Sequence, residues 1–294
     1  MLAVAGDSAA GKSTLTTGLA AALGPQRCVV ISADDYRRYD RSQRRAVPLT
    51  AQHPDCTHLD ILDQHLQLLA TGQSVLKPVY DHVAGTLLRP ELVAPREYVI
   101  VAGLLPLHNK LARACFDITV FVDPPEDIRM DWKMRRDTAI RGYTAAQVRS
   151  EATAAHGDSE RYVRPQQAHA DIVVRFAPVA GRDDPPDTPL SAELVLRPTI
   201  RQPDLTEILQ PEVTRTMHLR LARENNGRPV DSLHVHGYTG TEENAAAEKM
   251  IWEALGDPRT AIPDSLGVIT PGRRSTPLAI TQMILLHYLT DGLR

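Results

Sequence analysis

The residues near the start of the chain have the types and the spacing that a phosphate-binding loop requires. The run Gly6-Asp7-Ser8-Ala9-Ala10-Gly11-Lys12-Ser13 fits the pattern GxxxxGK[ST] at every fixed position, and Thr14 follows it. Small residues let the backbone curl so that successive N–H groups converge on phosphate oxygens. Lys12 would then neutralise charge on the β- and γ-phosphates, and the Ser13 hydroxyl would bind Mg²⁺. We predict a nucleotide-binding loop over residues 6–14, with ATP and Mg²⁺ as its ligands.

Two carboxylates, Asp34 and Asp35, follow the next apolar run of the chain. Phosphoryl transfer to an alcohol needs a carboxylate that orients and deprotonates the attacking hydroxyl, and Asp34 is the candidate. Asp35 is a candidate second carboxylate near the metal. Taken alone, two aspartates after a strand more often cap a helix. Five arginines follow closely, and they either form a solvated face or bind a phosphorylated substrate: Arg37, Arg38, Arg41, Arg44 and Arg45.

The pattern of apolar residues indicates the elements that position these groups. Short β-branched runs predict strands of a parallel sheet at residues 2–5, 28–32, 98–102, 118–122 and 172–176. Between them, residues 11–24 and 58–71 have the spacing of amphipathic helices. This alternation predicts an α/β fold with its ligand at the carboxyl ends of the strands.

The organisation of the chain changes near its middle. Residues 1–176 are predicted to form the kinase-like domain, and the proline-rich residues 177–191 a linker or surface loop. Residues 192–294 are predicted to form an α+β portion, either separate or extending the main sheet. It includes strands at 192–200 and 215–222, a hairpin turn at Asn226-Gly227, and amphipathic stretches at 241–255 and 276–290.

Composition excludes several other classes of protein. A net charge of -3 and an aromatic content of 4% give no support for nucleic-acid binding. No apolar stretch is long enough for a membrane span, and the first residues lack a signal-peptide pattern. Three dispersed cysteines, Cys28, Cys56 and Cys115, are expected to be reduced thiols. We therefore expect a cytoplasmic protein.

Four segments in order, GDSAAGKST, DDYRRYDR, KPVYDHVAG and KMRRDTAIRGYT, resemble the phosphoribulokinase family. The related uridine kinases share the first two, whereas KPVYDHVAG and the C-terminal portion favour the phosphoribulokinase branch. The resemblance implies a three-layer P-loop kinase sandwich and a homo-oligomer. It also implies ATP-dependent, Mg²⁺-dependent phosphorylation of D-ribulose 5-phosphate to ribulose 1,5-bisphosphate, a step of carbohydrate metabolism in the Calvin cycle.

The resemblance also implies roles for individual residues. Asp34 matches the catalytic base and, with Ser13, a metal ligand. The other residues expected in catalysis are Lys12, Lys133, Arg136 and Asp137. The residues expected to bind the sugar phosphate are Arg37, Arg41, Tyr80, His82 and Arg141.

This sequence departs from the family pattern at several positions. Ala102 stands in place of a glutamate that helps to hold Mg²⁺, and Leu105 and Arg37 replace histidines. Ala155 replaces a lid arginine, for which Arg161 is a candidate substitute. Two redox cysteines of the plant-type enzymes are also replaced, by Ala10 and Ala33, so we predict no thioredoxin-type switch through that pair. Two alternatives follow: a related kinase acting on another sugar phosphate, a nucleoside or glycerate, or a catalytically impaired nucleotide-binding paralogue.

Overall fold

A computed structural model describes residues 1–185, 187–210, 214–255 and 260–290. The strands are β1 (Leu2–Gly6), β2 (Cys28–Ser32), β3 (Val75–Asp81), β4 (Thr86–Val93), β5 (Tyr98–Gly103), β6 (Ile118–Val122), β7 (Ile172–Ala177), β8 (Ser191–Leu196), β9 (Met217–Arg223), β10 (Pro229–Val235), β11 (Val268–Thr270) and β12 (Arg273–Arg274). The helices are α1 (Lys12–Leu23), α2 (Arg41–Arg44), α3 (Leu59–Ala70), α4 (Lys110–Arg113), α5 (Glu126–Ala139), α6 (Ala145–Asp158), α7 (Thr241–Leu255) and α8 (Thr276–Thr290).

The chain divides into two compact units. The first comprises Met1–Lys12, Pro25–Val122 and Glu126–Ala170, and the second comprises Ser13–Gly24, Asp123–Pro125 and Asp171–Arg294. Residue 186 of the predicted loop lies outside the described residues, as do 211–213, 256–259 and 291–294 of the predicted C-terminal portion. The predicted domain boundaries at 177 and 191 stay a prediction.

The first unit is built on four parallel strands in the order β2-β5-β1-β6. Every residue of β1 and β6 is buried, as expected for strands covered on both faces. Because the strands are parallel, their carboxyl ends lie at one edge of the sheet, where Gly6, Ser32 and Gly103 end β1, β2 and β5. The predicted strands of this region are confirmed to within one residue, and so is the α/β fold class.

Helix α3 confirms the predicted apolar stripe. Its leucines Leu59, Leu62, Leu66 and Leu69 are buried in one core cluster with Ile31 of β2 and residues of β5. Burying each such side chain contributes about 1.5 to 3 kcal/mol. This core supports β2 and β5 and thereby the two segments that follow them.

The second unit contains an antiparallel arrangement in the order β7-β8-β10-β9. The predicted hairpin turn is confirmed between β9 and β10, where Gly227 has φ +82°. Helices α7 and α8 coincide with the two predicted amphipathic stretches. The amphipathic character predicted for 276–290 is wrong, because all of α8 except His287 and Thr290 is buried.

Among the described residues, no helix is both long enough and apolar enough to cross a membrane. The described part of residues 178–190 carries no helix or strand and joins β7 to β8.

Candidate active site

The phosphate loop leaves the carboxyl end of β1 in an unusual backbone conformation. Gly6, Ala9 and Gly11 all have positive φ, at +148°, +65° and +98°. A Cβ on Gly6 would lie 2.5 Å from the Val122 carbonyl oxygen, so only glycine fits there. The loop curls around Lys12, whose Nζ donates to the carbonyl oxygens of Gly6 at 2.9 Å and of Asp7 at 2.8 Å.

Helix α5 braces this loop with two arginines. Arg129 Nη1 donates to the Ser8 carbonyl oxygen at 2.8 Å, and Arg136 Nη2 donates to Ser8 Oγ at 3.1 Å. Arg136 was predicted from its motif and Arg129 was not, although Arg129 lies four residues before Lys133 and therefore on the same helical face. Positive charge is thus concentrated beside the loop.

Asp7 anchors the loop from the other side. Its carboxylate accepts from the Ser8 N–H at 3.0 Å, from Gln52 Nε2 at 3.4 Å and from the Ser159 hydroxyl. Burial alone would raise the pKa of Asp7, but Arg129, the Ser159 hydroxyl, the Ser8 N–H and Lys12 outweigh it and hold the pKa below its usual value. Neither Gln52 nor Ser159 carries a sequence signal that would have identified it.

Asp34 lies directly after β2, and its position is fixed by the segment that follows β5. Its Oδ1 accepts the Leu104 N–H at 3.0 Å and lies 3.6 Å from Arg37 Nη2. Gly103 leaves room for this approach, because a Cβ there would lie 3.2 Å from Asp34 Oδ1 and 2.7 Å from Ala33 Cβ.

The electrostatics of Asp34 keep it ionised. Burial would raise the pKa of Asp34, but Arg37, Lys12, the Leu104 N–H and His82 together lower it below its ordinary value. A carboxylate that is charged at neutral pH and sits near the phosphate loop can accept a proton from an attacking hydroxyl.

The pKa values of two basic groups near Asp34, Lys12 and His82, are shifted as well. Burial lowers the pKa of Lys12 to about 8, although Asp34 and Asp7 oppose that shift. Burial also lowers the pKa of His82 to about 4, with Arg141 adding to the shift and Asp34 opposing it. His82 is therefore neutral at pH 7, whereas most of Lys12 keeps its charge.

A second carboxylate, Asp137, organises two basic residues of α5 and Arg141, which follows that helix. Its Oδ2 lies 2.5 Å from Lys133 Nζ, and its Oδ1 lies 2.8 Å from Arg136 Nε and 3.4 Å from Arg141 Nη1. Burial would raise the pKa of Asp137, but Arg136 and Lys133 outweigh it and lower the pKa. This geometry suits an anchor for three cations better than an acid that exchanges protons.

Three of the predicted sugar-phosphate residues lie on α2 and on the β3–β4 hairpin, namely Arg41, Tyr80 and His82, whereas Arg37 precedes α2 and Arg141 follows α5. The hairpin itself was not predicted from the sequence. Arg41 Nη2 donates to the His82 carbonyl oxygen at 2.8 Å, and its guanidinium lies 4.8 Å from the Tyr143 ring centroid. Tyr80 and His82 rings meet edge to face at 5.0 Å. Tyr143 was missed, although it belongs to the segment KMRRDTAIRGYT.

The departures from the family pattern have structural consequences. Ala102 pairs with Ser32 at the strand ends and offers no ligand there. Asp35 is not a ready substitute, because Lys77 Nζ lies 2.5 Å from its Oδ2. Leu105 is buried in the core, and Arg161 lies over the Tyr162 ring at 5.2 Å. Within the described ranges, no group of three or more His, Cys, Asp or Glu residues could hold a metal ion.

The structure therefore brings most of the predicted residues into one region of the first unit. Electrostatic contacts link Asp34 to Lys12, Arg37 and His82, and link His82 to Arg136 and Arg141. The last two residues of the predicted loop, Ser13 and Thr14, belong to the second unit, and Ser13 is exposed.

A phosphate loop after the first strand of a parallel sheet, with a carboxylate after the second, defines a P-loop kinase fold. The model of the phosphoribulokinase / uridine kinase family matches residues 1–181. The chain belongs to this family.

Individual relatives agree with this assignment. The chain is 34% identical over 201 residues to a phosphoribulokinase of Synechocystis sp., a match that covers 68% of this chain and 60% of the relative. A chloroplastic phosphoribulokinase of Mesembryanthemum crystallinum is 31% identical over 195 residues, covering 60% of this chain and 49% of the relative. The chain thus spans about half to three fifths of these relatives' length.

Two further matches bear on the fold and on the branch of the family. A uridine kinase of Alkaliphilus metalliredigens is 29% identical over 178 residues, covering 59% of this chain and 85% of the relative. The solved phosphoribulokinase of Rhodobacter spheroides has a TM-score of 0.60 at 17% identity and covers 98% of both chains. At that identity the structural likeness supports the fold alone.

Proposed function

We propose that the protein is an ATP-dependent kinase that phosphorylates D-ribulose 5-phosphate to ribulose 1,5-bisphosphate. The observation that carries the proposal is the state of Asp34, an ionised carboxylate held by the Leu104 N–H and coupled electrostatically to Lys12. In this role Asp34 accepts the proton of the attacking hydroxyl as the γ-phosphate is transferred.

The nucleotide side of the site supports ATP as the donor. The curled loop presents its backbone to phosphate oxygens, and Lys12, Lys133 and Arg136 supply positive charge for the transferring group. Asp34 offers the hard oxygen atoms that Mg²⁺ prefers, and Mg²⁺ commonly binds through one or two protein groups together with phosphates and water. Ser13 as a second metal ligand stays a prediction from the sequence. When bound, Mg²⁺ would neutralise charge on the β- and γ-phosphates.

The acceptor side supports a phosphorylated substrate over a nucleoside. Arg37, Arg41 and Arg141 provide guanidinium groups, which match phosphate oxygens bidentately. His82 is neutral and can exchange a hydrogen bond with a sugar hydroxyl without adding charge.

A second candidate is a kinase acting on another sugar phosphate. Arg37 favours it, because this arginine stands in place of a histidine and is one of the groups that lower the pKa of Asp34. The altered residue Leu105 follows Asp34's hydrogen-bond donor Leu104, so the acceptor side of this chain differs from the family pattern at two positions. Loss of catalysis with retained ATP binding is the third outcome, and Ala102 is the feature that favours it.

The test is to follow ADP release with Mg-ATP and four acceptors: D-ribulose 5-phosphate, D-ribulose, uridine and D-glycerate. Asp34→Asn keeps the shape of the side chain but cannot take the hydroxyl proton, and we expect it to lower kcat by about 10² to 10⁴-fold. Asp60→Asn is the matched control, since Asp60 is a surface carboxylate with 74% of its side chain exposed.

Turnover with D-ribulose 5-phosphate that is lost without the 5-phosphate and collapses in Asp34→Asn would support the proposal. A preference for uridine or glycerate would replace the acceptor and keep the kinase. Tight ATP binding with no turnover for any acceptor would overturn kinase activity and favour a nucleotide-binding paralogue. Assembly as a homo-oligomer and a cytoplasmic location remain predictions.

A further inference from the structure

Gln166 is a buried amide side chain that joins separate segments of the first unit. It lies on the 3-10 helix Arg164–His169 and is 2% exposed. Its Nε2 donates to the Leu104 carbonyl oxygen at 2.7 Å, and its Oε1 accepts the Leu107 N–H at 2.9 Å. Nε2 also lies 3.0 Å from the Tyr162 carbonyl oxygen. Both ends of the amide are therefore satisfied, as a buried polar group requires.

The segment that Gln166 binds is the one that holds Asp34. Leu104 follows β5 directly, and its N–H donates to Asp34 Oδ1 at 3.0 Å. Its carbonyl oxygen receives the Gln166 bond, so the two polar groups of this one residue are fixed by Asp34 and by Gln166. The side chains of Leu104, Leu105 and Leu107 are buried and apolar. Hydrogen bonding to this turn thus goes through its backbone.

We propose that Gln166 is a positioning residue, which fixes the turn of residues 104–107 so that the Leu104 N–H faces the Asp34 carboxylate. The proposal rests on the proposed function, because that function makes Asp34 the base. Among the described residues, Gln166 forms its hydrogen bonds with Leu104, Leu107, Tyr162 and Val163, and so does not contact Asp34 through them. It acts through the Leu104 peptide group, and an error of about 1 Å at a reacting carboxylate can lower a rate by roughly 10²-fold.

The informative variant is Gln166→Met, which has a similar length and no hydrogen-bonding group. It leaves the Leu104 carbonyl and the Leu107 N–H without this partner. Gln166→Glu is measured beside it in case Gln166→Met folds poorly, since it keeps an acceptor for the Leu107 N–H and loses the donor to the Leu104 carbonyl.

Thr119 of β6 provides a matched control, because its side chain binds the same 3-10 helix. It is also buried, and its Oγ1 donates to the His169 carbonyl oxygen at 3.1 Å. Thr119→Val therefore removes a buried hydrogen bond to this helix without touching the turn of residues 104–107. A role that is only structural would affect Thr119→Val and the Gln166 variants alike.

The first measurement is amide hydrogen exchange at Leu104, which needs no substrate. We expect Gln166→Met and Gln166→Glu to raise the exchange rate of Leu104 at least about tenfold above that of Thr119→Val, because local opening frees this amide. Equal rates at Leu104 in all three variants would overturn the proposal.

The second measurement separates kcat from KM. We expect Gln166→Met to lower kcat by roughly 10- to 100-fold with the KM for ATP within about twofold of wild type. In an Asp34→Asn background the same substitution should have little further effect, since coupled residues are not additive. A full additional loss in that background would show that Gln166 does not act through Asp34. If wild type turns over no acceptor, the proposed function fails, and hydrogen exchange still decides the role of Gln166.

Discussion

Replacing Asp137 by asparagine tests whether this carboxylate anchors the cations of the site. The side chain of Asp137 is 3% exposed and contacts Lys133 at 2.5 Å and Arg136 at 2.8 Å. Removing one partner of a buried ion pair costs about 3 to 5 kcal/mol, because the charge that remains stays buried. Arg136 and Arg141 reach solvent with 29% and 24% of their side chains, so water offsets part of that cost. We expect the free energy of unfolding to fall by about 2 to 4 kcal/mol at pH 7.

The loss should depend on pH in one direction. The pKa of Asp137 is lower in the folded protein than its ordinary value of 3.8. A carboxyl with a depressed pKa stabilises the fold above its unfolded pKa, and that contribution disappears as the pH falls through the folded value. The difference between wild type and Asp137→Asn should therefore be complete above about pH 5 and shrink as the pH falls below 3.8.

Urea unfolding followed by tryptophan fluorescence measures this difference. The chain has two tryptophans, and Trp132 lies on α5, the helix that carries Asp137, so a Trp252→Phe background leaves one reporter on that helix. Asp131→Asn is the control, since Asp131 is exposed on the same helix. An equal loss in the control, or a difference that stays constant from pH 7 to acid, would refute the anchoring role.

Three further substitutions test other parts of the site. Gly85→Ala would place a Cβ 2.6 Å from Arg41 Nε, so the acceptor KM should rise about tenfold or more while the KM for ATP is unchanged. Gly142→Ala is the control for backbone strain in the same kinetic assay, because Gly142 has a similar positive φ and a Cβ there would meet no atom within 4 Å. Ala102→Glu should lower the Mg²⁺ concentration for half-maximal activity by about tenfold, and a Mg²⁺ titration showing no change would count against a ligand role at this position. Asp7→Asn should weaken ATP binding, measured by calorimetry at pH 7, by about tenfold or more, because it removes the charge that holds the loop to Ser159. An unchanged affinity for ATP would contradict this role of Asp7.

The fold of the first unit was predictable because its signals are local. A buried parallel strand shows as a short apolar run, and the phosphate loop as a fixed spacing of glycine, lysine and serine, so β1, β2 and Lys12 were all found. The hairpin that carries Tyr80 was missed, because β4 is exposed along almost its whole length and has no alternating buried face. The all-round burial of α8 depends on what packs against it, which periodicity alone does not contain.

The candidate site was predictable only for residues within motifs. Asp34 and Asp137 lie in segments with recognisable neighbours. Gln52 and Ser159 contact the phosphate loop, and Gln166 contacts the turn that supports Asp34, from positions with no pattern of their own. Their contacts join residues 45 to 152 positions apart in the chain. Such long-range hydrogen bonds follow from the fold and leave no trace in local spacing.

The proposed function gives the site two anionic substrates, and the charges of the site agree with that proposal. Lys12 and Asp34 stabilise each other's charged form, since Asp34 opposes the burial that lowers the pKa of Lys12 to about 8 and Lys12 lowers the pKa of Asp34. A phosphate beside Lys12 would oppose that burial further, so nucleotide binding and the charge on Lys12 reinforce each other. Burial and then the positive charge of Arg136 lower the pKa of Arg141, although Asp137 and Asp34 oppose that shift, so the guanidinium groups of Arg136 and Arg141 repel each other. A neutral acceptor would leave that repulsion in place. A sugar phosphate would relieve it while bringing its hydroxyl to Asp34, which is why the acceptor is expected to carry a phosphate.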